Sequence, residues 1–456
     1  MTQAEALDIL KTGANVFLTG EPGAGKTYTV NAFVRYLREQ NIDVAITAST
    51  GIAATHIGGM TIHSWAGIGI KRYLDKYSLD RIAANERVHK RVSKAKVLVI
   101  DEVSMLGPGT LDMVDAVCRA VRRNSEAFGG LSVLLVGDFF QLPPVVKRQE
   151  EETVDGDLVL MDEPKQRFAY ESGAWQRAKF VTCYLSEQYR QDDKDLLEIL
   201  SAIRRNEFEQ MHMEHIEKRK LAPGKTVENV PVLYSHNIDV DRVNTDKLSR
   251  IEAEAKVYEM SATGPENMVE GLMRGCLSPK KLVLKVGASV MCTKNNQQER
   301  FVNGTLATVT SFDKLSGWPV VRTKAGRSIT IEPMEWSIED GGKVLARVRQ
   351  VPLRLSWAIT VHKSQGMSMD AALMDLSGVF EHGQGYVALS RVRRLEGLHL
   401  LGWNERTFQV HPGVLERDGA FRADSEDARE AFAKMPKSEL GKMHKNFIKT
   451  TAKAKI

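Results

Sequence analysis

The 456-residue sequence predicts an α/β protein built on parallel sheets. Short apolar segments of strand length recur, helical stretches separate them, and several run directly into glycine or acidic residues at their C-terminal ends, where such sheets place ligands. Asn15-Val16-Phe17-Leu18-Thr19 is the first such segment; it ends on Gly20, and a helix is expected from Lys26. Val44-Ala45-Ile46-Thr47-Ala48 and Val97-Leu98-Val99-Ile100 follow, then Leu131-Ser132-Val133-Leu134-Leu135-Val136. The order implies a parallel, doubly wound sheet.

With 43% hydrophobic and 27% charged residues, the chain can bury more than one core. No apolar run approaches the roughly 20 residues that span a bilayer. The start, Met1-Thr2-Gln3-Ala4-Glu5, lacks the basic-then-apolar pattern of a secretory signal. A soluble intracellular protein without membrane association or targeting segment is therefore expected. Cys118, Cys183, Cys276 and Cys292 show neither metal-ligand spacing nor a disulfide framework, and ordinary packing is expected for Cys292. The formal charge of +5 permits nucleic-acid binding and equally suits a mildly basic enzyme.

Texture changes twice along the chain. A polar, basic stretch at about 68–95, with Arg81, Arg87, Lys90, Arg91 and Lys94, reads as a small insertion or as a solvated helix face. From Lys285 to about residue 350, Lys285-Val286-Gly287-Ala288-Ser289-Val290-Met291 and Asn303-Gly304-Thr305-Leu306-Ala307-Thr308-Val309 suggest a β-rich insert. The lysine-rich end, Lys437 through Lys455, reads either as a disordered or helical tail touching nucleic acid or as a solvated tail.

The chemistry begins with Gly20-Glu21-Pro22-Gly23-Ala24-Gly25-Lys26-Thr27. Its backbone amides can wrap phosphate oxygens, the lysine meets the outer phosphates, and the threonine hydroxyl sits beside magnesium. This predicts ATP or GTP binding with Mg2+ and does not name the reaction. Asp101-Glu102 follows the apolar run at 97–100, so Asp101 is expected to hold magnesium with Thr27, and Glu102 to orient or deprotonate the attacking water. An acidic pair after a strand is often only a helix start; paired with the loop it becomes specific. Gly137-Asp138-Phe139-Phe140-Gln141-Leu142-Pro143-Pro144 presents Gln141, a neutral side chain able to bond a terminal phosphate and a water. Arg190 and Arg391 are candidates for transition-state charge from a second lobe, although either alone is an ordinary ion-pair residue.

Together these segments resemble the petite-integration-frequency (PIF) helicases, superfamily-one DNA translocases related to the RecD group. The resemblance rests on Ala48-Ser49-Thr50-Gly51-Ile52-Ala53-Ala54 with Gly58-Gly59-Met60-Thr61-Ile62-His63-Ser64, on Asp101-Glu102-Val103-Ser104-Met105, and on Phe128-Gly129-Gly130 leading into Gly137–Pro144. It continues through Gln188-Tyr189-Arg190-Gln191, Thr360-Val361-His362-Lys363-Ser364-Gln365-Gly366 and Tyr386-Val387-Ala388-Leu389-Ser390-Arg391-Val392, covering about Gln3 to Trp403.

The resemblance implies two RecA-like P-loop NTPase cores at 1–165 and 166–403, a wedge-like insertion at about 68–95, an SH3-like insertion at about 285–350, and a C-terminal extension at 404–456. It implies that Gln3 reads adenine, that Gly20, Gly23, Ala24, Gly25, Lys26, Thr27 and Gly366 border ATP, and that Gln141, Arg190 and Arg391 meet the terminal phosphate. Thr50, Gly51, His63 and Ser64 on one core, with His362, Lys363 and Ser364 on the other, would line single-stranded DNA. The implied activity is 5′ to 3′ translocation on single strands and unwinding of 5′-tailed duplex or structured DNA, by a monomer, in replication, repair, recombination or telomere-type maintenance. The phosphate loop lies close to residue 1, so a near-minimal core is expected. An RNA-acting helicase, a motor subunit of an exonuclease complex and a nucleotide-switched binding protein share much of this pattern.

Overall fold

The protein is described by a computed structural model over residues 1–69, 71, 73–144, 167–187, 193–222, 225, 227, 230–235, 240–296, 298–299, 301–340 and 343–452. Six strands form the first sheet: β1 (Val16–Gly20), β2 (Val44–Ala48), β3 (Met60–Thr61), β4 (Val97–Asp101), β5 (Ser132–Val136) and β6 (Val181–Leu185). All pair in parallel, in the order β3-β2-β4-β5-β1-β6. β1 is buried along its whole length, as expected for a central strand covered by helices on both faces. A second parallel sheet runs in the order Ala358–Thr360, Val232–Tyr234, Ala372–Leu376, Leu398–Trp403. The expected α/β class with two parallel cores is what the chain adopts.

The partition differs from the expected one in three places. β6 lies beyond residue 165 yet completes the first sheet, with Val181 to Leu185 in register beside Val16 to Gly20. Antiparallel structure begins at Lys256 rather than near 285: Lys256–Glu259 pairs with Lys281–Leu284, and Ser261–Thr263 pairs with the hairpin Met334–Asp340/Lys343–Gln350. A five-stranded antiparallel sheet from Ser289 to Leu355 then packs its own core around Val290, Val309, Val321 and Leu353.

The third difference is the C-terminal extension. Helix Pro412–Lys434 lies along β6, where Tyr184 N donates to Ser425 Oγ (2.9 Å). Its Phe421 ring sits 5.0 Å from that of Phe17 and 6.1 Å from those of Phe139 and Trp175. Helix Lys437–Thr451 turns back so that Phe447 lies against the bare Cα of Gly13, and His444 Nε2 is 2.9 Å from the Asp8 carbonyl oxygen. Of the lysines in this region, Lys453 and Lys455 lie outside the described residues.

The basic insertion is a pair of short helices, Lys76–Ala84 and Glu86–Lys94, anchored by Ile82, Val88 and Val92 in the first core. All four cysteines are buried and burial raises their thiol pKa values, so they pack rather than react. Among the described residues, no helix is long and apolar enough to cross a membrane.

Candidate nucleotide and nucleic-acid sites

The C-terminal edge of the first sheet gathers one cluster. Because β1 lies between β5 and β6, the loop after Gly20 opens next to the ends of both. Helix α1 (Gln3–Leu10) starts on a capping box between Thr2 and Glu5, which fixes Gln3 in its first turn. Gln3 Nε2 donates to Ala24 O (3.2 Å), closing one wall of the loop. A Cβ on Gly25 would stand 1.9 Å from that amide and would have to adopt a φ of +86°, so only glycine suits the position. Helix α2 (Lys26–Glu39) begins here, with the loop amides at its positive end. Lys26 Nζ donates to Gly20 O (2.7 Å) and Glu21 O (3.1 Å), holding an ammonium across the loop mouth.

Asp101 ends β4, and Glu102 follows in a left-handed backbone conformation with φ 53°, a strained state concentrated at functional positions. Burial lifts the Asp101 and Glu102 carboxyls above their ordinary range; for Glu102 the neighbouring Asp101 charge adds to the effect, while the Lys26 ammonium opposes it at both. Among the described residues no group of three or more His, Cys, Asp or Glu forms a metal cage. A cation here would thus lean on Asp101, the Thr27 hydroxyl and phosphate oxygens, a hard-oxygen donor set suited to magnesium.

Gln141 follows β5 and is buried. Its Nε2 donates to Asp138 Oδ2 (3.3 Å) and its Oε1 accepts from Gln365 Nε2 (3.4 Å). Gln365 Nε2 also donates to Glu102 Oε2 (3.2 Å), so this residue of the second lobe touches both expected hydrolytic side chains. In the sequence Gln365 stands out only as one member of the segment Thr360 to Gly366, and its place immediately before Gly366 is the signal it leaves. Gly366, with φ 76°, forms the adjoining turn.

Arg391 is 1% exposed and turned into its own lobe. It donates to Val387 O (2.7 Å), Met367 O (3.2 Å), Ser364 O (3.4 Å) and Ser390 Oγ (2.6 Å). The other expected arginine, Arg190, lies outside the described residues with the rest of its motif.

The expected DNA-facing residues fall into two groups. Thr50 caps helix Gly51–His56, its hydroxyl accepting from Ala53 N (3.2 Å). Gly51, His63 and Ser64 line a cavity of about 520 Å³ together with Lys71, Arg81, Arg87 and Arg91 of the basic insertion and Met268, Gly271 and Leu272 of helix Glu266–Gly275. Burial lowers the His63 pKa, favouring a neutral ring. Helix 266–275 packs directly against Gly51: a Cβ on Gly275 would stand 2.2 Å from Gly51 O. On the second lobe, His362 to Ser364 form a short turn after strand Ala358–Thr360. Lys363 is half-buried, whereas Ser364 is fully buried and its hydroxyl donates to Val361 O (2.7 Å), which puts it behind the surface rather than on it.

Comparison with known proteins gives the same answer across the chain. Residues 3–214 match the family model for PIF1-like helicases, and residues 268–312 match that for the 2B domain of DNA helicase Pif1. The ATP-dependent DNA helicase Pif1 of Psychrobacter sp. is 39% identical, covering 98% of this chain and 75% of its own. Unliganded Pif1 from Bacteroides sp. superposes with a TM-score of 0.76 at 32% identity, over 91% of this chain and 94% of that one. Bacteroides Pif1 bound to single-stranded DNA gives 0.59 at 29% identity, over 92% and 97%. With this identity over most of both chains, the protein belongs to the Pif1-like family of ATP-dependent DNA helicases.

Proposed function

We propose that the protein uses ATP hydrolysis to move 5′ to 3′ along single-stranded DNA as a monomer and to unwind 5′-tailed duplex or structured DNA. The observation that carries this reading is Gln365, which reaches Glu102 and Gln141 from a turn that also bears Lys363. A shift of the second lobe on DNA is thereby felt at the hydrolytic residues. The closer likeness to the unliganded than to the single-strand-bound Bacteroides structure supports reading the present arrangement as one that precedes DNA engagement.

In this reading Gln3 contacts adenine, and the amides of Gly20 to Thr27 hold the phosphates. Lys26 exchanges the Gly20 and Glu21 carbonyls for phosphate oxygens. Thr27 and Asp101 hold Mg2+, which when bound supplies charge neutralisation for the leaving phosphate. Glu102, returned to its charged form as positive charge arrives, takes the proton of the attacking water. Gln141 orients that water, while Arg391 and Arg190 add charge when the lobes close. Thr50, Gly51, neutral His63 and Ser64 grip phosphates on the first lobe, and His362 and Lys363 on the second. Ser364 acts from behind by fixing the turn. Such contacts pass any sequence because they address the backbone rather than base edges. Alternating closure and release then ratchets the strand.

Unwinding of duplexes with a 5′ tail, a 3′ tail or an RNA strand tests this reading. Activity confined to 3′ tails would overturn the polarity, and ATPase indifferent to single-stranded DNA would overturn the motor. Glu102→Gln should lower ATP turnover by about a thousandfold while ATP and DNA binding remain measurable.

A further inference from the structure

One buried charge stands outside every motif described above. Arg204, on helix Lys194–Arg205, is 1% exposed. Its Nη1 donates to Asp138 Oδ1 (2.8 Å) and Oδ2 (2.9 Å) and to the Tyr386 hydroxyl (3.1 Å). Its Nε and Nη2 donate to the Tyr184 hydroxyl at 3.2 and 2.7 Å, and its guanidinium lies 4.1 Å from the centroid of the Phe140 ring. Asp418 and Arg422 of helix Pro412–Lys434 close the outer side, Arg422 Nη2 also donating to the Tyr184 hydroxyl (2.8 Å).

These partners come from both lobes. Asp138 and Phe140 belong to the turn that presents Gln141, and the Asp138 carboxylate accepts from Phe140 N (3.2 Å) and Gln141 Nε2 (3.3 Å) as well as from Arg204. Tyr386 belongs to helix Gln384–Leu389, whose Val387 carbonyl accepts from Arg391 Nε (2.7 Å). One guanidinium is therefore linked to Gln141 through Asp138, and to Arg391 through Tyr386 and the Val387 carbonyl of the same helix, two of the three side chains expected at the terminal phosphate. Burial alone would lower the Arg204 pKa, but Asp138, Tyr184, Tyr386 and Asp418 together outweigh it and keep the group charged. A buried charge with every partner in place has few alternative arrangements, so a displacement on one side must be taken up on the other.

We infer that Arg204 is a positioning residue, a pivot that sets Gln141 and the helix preceding Arg391 together so that lobe movement changes both at once. The Arg204–Asp138 contact crosses between the lobes and orients Gln141, and the Arg204–Tyr386 contact ties the same guanidinium to helix Gln384–Leu389 within the second lobe. The inference rests on the ATPase motor reading proposed above.

Tyr386→Phe tests it with least damage, since the ring stays and one hydroxyl leaves. DNA-stimulated kcat should fall about tenfold, while the KM for ATP and the Kd for oligothymidine stay within about twofold. In a Gln141→Ala background the same change should cost clearly less than it does alone, because one of the two groups coupled through Arg204 is gone. Arg204→Lys, which keeps the charge beside Asp138 but cannot span to both phenols, should reproduce the kcat loss with KM unchanged. Wild-type kcat in Tyr386→Phe, or a loss that multiplies with that of Gln141→Ala, would overturn the pivot. A wild-type ATPase indifferent to single-stranded DNA would instead overturn the motor reading, and the pivot with it.

Discussion

Lys26 in the first lobe spans the mouth of its loop, donating to the Gly20 and Glu21 carbonyls, whereas Arg391 in the second lobe donates to the carbonyls of Ser364, Met367 and Val387. The first lobe thus offers a preformed cradle fixed by β1, Gln3 and a glycine that admits no side chain. The second holds its cation in bonds to its own backbone, from where its charge reaches Glu102 of the first lobe. On the roles proposed above, binding and hydrolysis are divided between the two lobes, and affinity for ATP should be separable from its turnover.

The strongest way to break that division is Arg391→Ala. Turnover should drop about a thousandfold with ATP affinity nearly intact, read as kcat and as the Kd of a fluorescent nucleotide. A parallel loss of affinity would mean that the arginine already serves binding and that the two lobes are less distinct than they look. Phe447→Ala tests the rigidity of the first lobe from behind, since the ring packs against Gly13 next to α1. It should destabilise the fold by about 3 kcal/mol, seen as a lower denaturation midpoint.

A smaller effect concerns acid and base. The raised carboxyls of Asp101 and Glu102 favour the neutral forms, so their contribution to stability is full below the ordinary carboxylate range and is lost as pH rises through the raised values. The nucleotide-free protein should therefore lose a few degrees of melting temperature between acid and neutral pH from this pair. Glu102→Gln should flatten the trend, and an unchanged slope would remove the buried pair as its cause. Smallest of all, Gly275→Ala should push helix 266–275 away from Gly51 and raise oligothymidine affinity about threefold by favouring the DNA-bound arrangement. Weaker binding would show that the helix supports the track rather than covering it.

Much of the first lobe was legible because its determinants are local. Short apolar runs, ended by glycine, carboxylate or hydroxyl residues, announce strands, and β1, β2, β4 and β5 lie where those runs are. What stayed hidden depends on distant partners. Nothing in Val181-Thr182-Cys183-Tyr184-Leu185 says which sheet it joins, and only the register with Val16 to Gly20 decides it. Phe421 and Phe447 are single rings in strongly charged stretches, so a pattern read for charge missed that they are anchors. Gln365 shows its role only once Glu102 lies opposite. Arg204 did leave a trace: Leu196, Leu200 and Arg204 share one helical face with Ile199 and Ile203, and a cation at the end of an apolar stripe asks for a buried partner.

The docking of the last helices on the first sheet also bears on how the molecule is made. Ribosomes deliver chains from the N-terminus, and most lobes can close as soon as their own strands have emerged. Here β1 stands early in the chain, β6 comes some 160 residues later, and the aromatic pocket around Phe17 waits for Phe421 and the Gly13 face for Phe447. The lobe synthesised first is thus completed last. Until then its apolar back face remains open, an interval in which the nascent chain is most exposed to aggregation.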